Sequence, residues 1–197
     1  MSIRDIVFPF FSNSFEIDEE KKRIRFDIKH LKENLSNEEK EKAAKEVFAK
    51  IEAISEFNEA KTILIYWATP DELPTQDFIK KWKDEKLIIL PSIKGRKLKL
   101  KRYTSDANMI QHTLGIWEPN LTETFEGNID LVVVPGVAFD TKKNRLGRGK
   151  GYYDRFFKKK RTIKIGVGFD FQLINSVPVN SWDKRLDMII TPSTTIE

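Results

Sequence analysis

Five short stretches are nearly unbroken in apolar residues: "KTILIYW" from Lys61, "KLIILP" from Lys86, "IDLVVVP" from Ile129, "TIKIGVGF" from Thr162 and "DMIIT" from Asp187. Runs of this length, rich in β-branched residues, predict strands buried on both faces. A sixth stretch, "KLKLKRY" from Lys97, alternates instead and predicts a half-exposed strand with Leu98 and Leu100 facing in. Between them the period changes. Ile24, Ile28, Leu31 and Leu35 share one face of a helix expected over Lys21–Leu35. Ser36 followed by Glu39 forms the signature of a capping box, starting a second helix with Val47, Phe48, Ile51 and Ile54 inward. Thr75 is the expected N-cap of a helix running through Trp82, and a further helix is expected to begin near Tyr152. Buried strands separated by helices predict an α/β fold with a largely parallel sheet covered on both faces. In such sheets ligands bind at the carboxyl ends of the strands. Trp67, the loop with Glu72 and the loop after Val134 all fall at such ends.

The chain has 197 residues, which suits one domain, and shows no repeat or low-complexity linker. It contains no cysteine, so disulfides, thiolate nucleophiles and cysteine-ligated metals are excluded. No apolar run is long enough to span a bilayer, and the opening "MSIRDIVFPFFSNSFEIDEE" is unlike an export signal; a cytoplasmic location is expected. The net charge of +5 fits either simple solubility or a phosphate- or carboxylate-rich partner.

Where the cations concentrate decides between these. "RLGRGKGYYDRFF", from Arg145 to Phe157, alternates Gly147, Gly149 and Gly151 with Arg148 and Lys150. Glycines let backbone amides approach a phosphate closely; arginines fork onto its oxygens, and a lysine adds a mobile charge. The spacing matches neither the P-loop nor the dinucleotide fingerprint. Asp154, in the first turn of the following helix, either complements the helix dipole or holds Mg²⁺ beside the phosphates. Asp187, which opens the last strand, is a second candidate for that ion.

The longer segment "VVVPGVAFDTKKNRLGRGKGYYDRFF" resembles the signature of the 5-formyltetrahydrofolate cyclo-ligase family. The resemblance extends to "KKRIRFDIKHLKENLSNEE", "YWATPDELPT", "LGIWEP" and "RLDMIIT", leaving residues 1–20 as an extension and 21–197 as a single domain. It implies a three-layer α/β/α fold with a largely parallel Rossmann-like sheet, and ATP- and Mg²⁺-dependent conversion of 5-formyltetrahydrofolate to 5,10-methenyltetrahydrofolate, with release of ADP and phosphate. Position by position, it implies that Lys21, Arg25, Arg145 and the run Gly147, Arg148, Gly149, Lys150, Gly151, Tyr152 and Tyr153 contact ATP. Lys21 and Arg25 lie about 40° apart around a helix, so both can reach one ligand. Trp67 and Glu72 are implied folate contacts, with Arg148 and Tyr152 at the shared boundary and Asp154 and Asp187 as metal ligands. Arg148 and Lys150 are the expected catalytic cations. The partners are small molecules, with no nucleic acid or membrane, and the protein is expected to act as a monomer or weak dimer.

A nucleic-acid-binding protein is the rival class, prompted by the positive charge and by "KKKR" from Lys158 to Arg161. It would need a continuous basic face with exposed aromatics. That basic run closes a helix, where cations complement the dipole. A sugar-phosphate or acyl-transfer enzyme could use the anion loop, but leaves Lys21, Arg25 and Asp187 without a task. His30 and His112 are read as surface or capping residues, and Trp82, Trp117 and Trp182 as core or rim packing.

Overall fold

The computed structural model describes residues 14–95, 97–111, 117–158 and 162–197. His112 and residues 159–161 of the basic run lie outside them. In chain order the elements are α1 (Ser14–Glu33), α2 (Asn37–Ala53), α3 (Ser55–Glu59), β1 (Thr62–Ile65), α4 (Gln76–Trp82), β2 (Leu87–Lys94), β3 (Lys97–Arg102), β4 (Met109–Gln111), β5 (Trp117–Pro119) and β6 (Leu131–Pro135). They continue through β7 (Ala138–Phe139), β8 (Arg145–Leu146), α5 (Tyr152–Phe157), β9 (Ile163–Val167), β10 (Met188–Ile190) and β11 (Thr195–Ile196).

Seven strands form the central sheet in the order β11-β10-β9-β6-β1-β2-β3. The five inner strands pair in parallel, and β3 and β11 close the two edges antiparallel. The expected α/β architecture is therefore present, because each apolar run is short enough for a strand and the helices cover both faces. Val47, Phe48 and Ile51 of α2 and Phe78 and Ile79 of α4 bury one face against Ile63, Ile65 and Val133. On the other face, Phe157 of α5 packs with Leu64, Val132, Val134 and Ile189. Successive residues of β1 and β6 thus point into different layers, as the strand period demands.

The capping box forms as expected: the Ser36 side chain accepts from Glu39 N, while the Glu39 carboxylate accepts from Ser36 N. Two helix expectations need correction. The first helix begins at Ser14 and ends at Glu33, so Leu35 lies beyond it, where it packs on the core from the connecting turn. Thr75 does stand at the N-cap position of α4, which runs through Trp82 as expected, but its side chain makes no capping bond: its hydroxyl donates to Tyr66 O at 2.8 Å and accepts from Ala68 N at 3.1 Å. That side chain is fully buried, and it stitches together the loop that follows β1 instead.

α1 does not lie on the sheet. Its Ile24 and Ile28 pack on Ala138, Leu146, Ile174 and Val177, so the helix rests on the β7–β8 hairpin. The hairpin turn is organised by Asp140, wholly buried, which accepts from Lys142 N, Asn144 N, the Asn144 side-chain amide and Val177 N. This carboxylate fixes the place where Arg145 enters the glycine loop. No described helix is long and apolar enough to cross a membrane.

Candidate functional site

β1 connects to β2 on one side while β6 lies on the other, so the strand order reverses between β1 and β6. Just beyond their carboxyl ends opens a cavity of about 1120 Å³. Tyr66 and Trp67 follow β1 into it, Pro135 and Gly136 end β6 beside it, and the whole run Arg145–Asp154 lines it. This is where an open α/β sheet places its ligand.

The glycine loop carries two backbone turns in the left-handed region, Gly149 at φ 94° and Gly151 at φ 61°. A side chain at either would be strained, which accounts for the glycines. Arg25 reaches across from α1 and donates from Nε to Gly147 O at 2.9 Å. Lys21, one turn earlier on α1, donates to Asp183 at 2.6 Å. Lys21, Arg25 and Asp183 all line the cavity, so α1 and the segment before β10 close one wall together.

Arg145 is only 8% exposed. It pairs with Asp154 at 3.0 Å and donates to Pro135 O at 3.2 Å. Asp154 accepts in addition from Lys184 N. Lys150 behaves differently: it is exposed, and its side chain has no hydrogen bond or ion pair among the described residues. Tyr152 donates to Gly95 O at 3.3 Å, tying the loop to the β2–β3 turn.

Arg148 bridges the two halves of the site. Its guanidinium donates to Thr69 Oγ1, to both Asp71 oxygens and to Glu72 Oε1 at 2.8–3.0 Å. The other Glu72 oxygen accepts from Thr69 N. Burial opposes the Arg148 charge, but Glu72 and Asp71 outweigh it and raise its pKa. Lys32, 7% exposed on α1, faces the same carboxylates; burial pushes its ammonium below the ordinary lysine value against their pull. Lys40 donates to Pro70 O, a third grip on this loop. Trp67 is half-buried, its ring 5.7 Å from that of Tyr103.

Asp187 is not at the site. It precedes β10, whose neighbour β9 runs parallel, so it stands at the amino end of the sheet, opposite the cavity. There it accepts from the Lys164 backbone and pairs with the Lys164 ammonium. The acid that this segment does bring to the cavity is Asp183, which the sequence reading passed over. Trp117 and Trp182, expected as core or rim packing, are 40% and 55% exposed and line the cavity with Ile93 and Leu98. Only their distance in sequence hid them, since β5 and the segment before β10 reach the rim from elsewhere. Trp82 packs edge-on against Phe57 in the core, and His30 is a surface residue beside Glu33.

A largely parallel sheet with a cation-rich glycine loop at its switch point, sharing one cavity with apolar side chains, defines an α/β domain with its candidate site at the carboxyl ends of the strands. The chain belongs to the 5-formyltetrahydrofolate cyclo-ligase family, whose family model matches residues 17–192. It is 32% identical to the 5-formyltetrahydrofolate cyclo-ligase of Haemophilus influenzae, over 85% of this chain and 95% of that protein. The mouse enzyme of the same name is 27% identical, over 88% and 94%. Among solved structures, the 5,10-methenyltetrahydrofolate synthetase of Aquifex aeolicus superposes with a TM-score of 0.80 at 33% identity, covering 90% of this chain and 92% of that one.

Proposed function

We propose that this protein converts 5-formyltetrahydrofolate to 5,10-methenyltetrahydrofolate, using ATP and releasing ADP and phosphate. The observation that carries the reading is the meeting of the glycine–cation loop and the Trp67–Glu72 loop in one cavity, in a chain of this family. A formamide oxygen is a poor leaving group. Attack of that oxygen on the terminal phosphorus of ATP breaks the bond to ADP and makes it a good one. The second folate nitrogen then attacks the formyl carbon and loses its proton, and the carbon–oxygen bond breaks as phosphate departs.

In this reading Lys21, Arg25, Arg145 and the run Gly147 to Tyr153 hold the nucleotide. Arg148 and Lys150 neutralise charge on the transferring phosphoryl group, where positioning and electrostatics supply most of the catalysis. Glu72 accepts from the N–H groups of the pterin, Trp67 and its apolar neighbours face the ring, and Tyr152 lies at the boundary with Arg148. Arg148 must exchange its grip on Asp71 and Glu72 for phosphate, which frees one Glu72 oxygen for the folate.

No group of three or more acids or histidines placed to hold a metal ion occurs among the described residues. Mg²⁺ is commonly held by one or two carboxylates, with phosphate and water completing its shell. Asp154 and Asp183 are the carboxylates that line the loop side of the cavity, paired here with Arg145 and Lys21, and would hold the ion once phosphate draws those cations away; Asp187 does not line it. Bound there, the ion would neutralise phosphate charge. The test is direct: with ATP, Mg²⁺ and 5-formyltetrahydrofolate, the near-ultraviolet absorbance of the methenyl product should rise, and a flat trace refutes the assignment.

A further inference from the structure

Trp182 is 55% exposed and lines the cavity, and its side chain makes no hydrogen bond or ring contact among the described residues. A ring of that size in water forgoes the burial that a core position would give it. Its backbone, however, is firmly held. Asp183 N donates to Asn180 O at 3.1 Å, and the Asp183 carboxylate accepts from Asn180 N at 2.8 Å, closing a turn with Trp182 inside it. The same carboxylate accepts from Lys21 of α1, and Lys184 N donates to Asp154 of α5. The indole therefore stands on a turn pinned to α1 on one flank and to the helix behind the glycine loop on the other.

Strand order fixes which end of the cavity this is. Trp67 follows β1, Ile93 belongs to β2 and Leu98 to β3, the three strands on one side of β6. The glycine loop meets that side through Arg148, which holds Glu72, and through Tyr152, which donates to Gly95 O. The turn at 180–183 leads to β10, on the other side of β6. Phosphoryl transfer needs the terminal phosphate beside the folate, so the rest of the nucleotide extends away from Glu72, toward α1 and this turn. Among the described residues that α1 and the turn bring to the cavity, Trp182 alone is aromatic. Resting on the function proposed above, we infer that Trp182 is the stacking platform for the nucleobase of ATP, lying against the face of the adenine while the glycine loop holds the phosphates. A flat indole takes a heteroaromatic base by offset stacking, and at a wet rim its N–H is served by water.

Trp182→Ala and Trp182→Phe test this by calorimetric titration of ADP, inorganic tripolyphosphate and 5-formyltetrahydrofolate into the full chain. Base–aromatic stacking corresponds to about five- to hundredfold in affinity. Trp182→Ala should weaken ADP by that factor and Trp182→Phe by less. Both should leave tripolyphosphate and 5-formyltetrahydrofolate binding within about twofold of wild type, with Tm unchanged because the ring packs on nothing. ADP affinity within about twofold of wild type in Trp182→Ala overturns the inference. So does an equal loss of tripolyphosphate binding, which places the effect at the phosphates, or a loss confined to 5-formyltetrahydrofolate, which turns the ring to the folate. A variant that melts well below wild type shows a packing role and overturns it too. If wild-type protein binds ADP but forms no methenyl product, the functional reading has failed, and the contrast between ADP and tripolyphosphate still decides whether Trp182 meets the base.

Discussion

Arg145 and Lys150 share one loop and one charge, yet the structure separates what their removal should do. Arg145→Ala deletes a cation that is 8% exposed and leaves the Asp154 carboxylate and the Pro135 carbonyl without their 3.0 and 3.2 Å donors. Breaking a buried ion pair from one side costs about 3–5 kcal/mol, because the remaining charge is stranded. For a domain of this size each kcal/mol moves Tm by roughly 2–4 °C, so the expected fall is about 6–20 °C. Thermal unfolding followed by calorimetry measures it. The companion Arg145→Ala/Asp154→Asn removes the stranded charge as well, and should recover a clear part of the loss. An Arg145→Ala protein melting within about 2 °C of wild type would refute the reasoning, since it would mean that the pair carries no net interaction at this burial.

Lys150→Ala, by contrast, removes an exposed ammonium with no partner among the described residues, and should leave Tm unchanged while turnover falls on the order of a hundredfold or more, as a lost charge at the transferring phosphate implies. Steady-state kinetics beside a melting curve checks both halves. Glu72→Gln should weaken folate binding about tenfold or more with ATP affinity little altered, read by calorimetric titration of each ligand. Lys32 supplies a pH test. Its pKa is lowered in the folded state by burial, so between that value and the unfolded 10.5 the unfolded chain binds more protons and stability rises with pH. Against Lys32→Met, wild type should therefore gain in relative stability as pH climbs through the window below 10.5; a flat difference contradicts it.

Much of this architecture was legible because it is written locally. The Ser36–Glu39 cap needs only four residues, and the inner strands announce themselves as short apolar runs. The glycine loop was legible for the same reason: its positive-φ turns demand glycine within a few positions. What failed was either a competition or a matter of geometry over distance. Thr75 holds the N-cap position, but its hydroxyl turned from the helix amides to Tyr66 O and Ala68 N. Asp187 was misplaced although the sequence held the clue, since a residue that opens a parallel strand stands at the end opposite the ligand. Asp183, Trp117 and the Arg148 bridge to Asp71 and Glu72 gave no local signal, because each acquires its meaning only when distant segments meet.

The contact between Lys21 and Asp183 joins residues 162 positions apart, and that between Arg25 and Gly147 joins residues 122 apart. One wall of the cavity is thus made from the first helix and nearly the last loop of the chain. A ribosome must release almost the entire polypeptide before that wall can exist. A nascent or C-terminally shortened chain can own a complete glycine loop and still lack one side of the cavity that the loop faces.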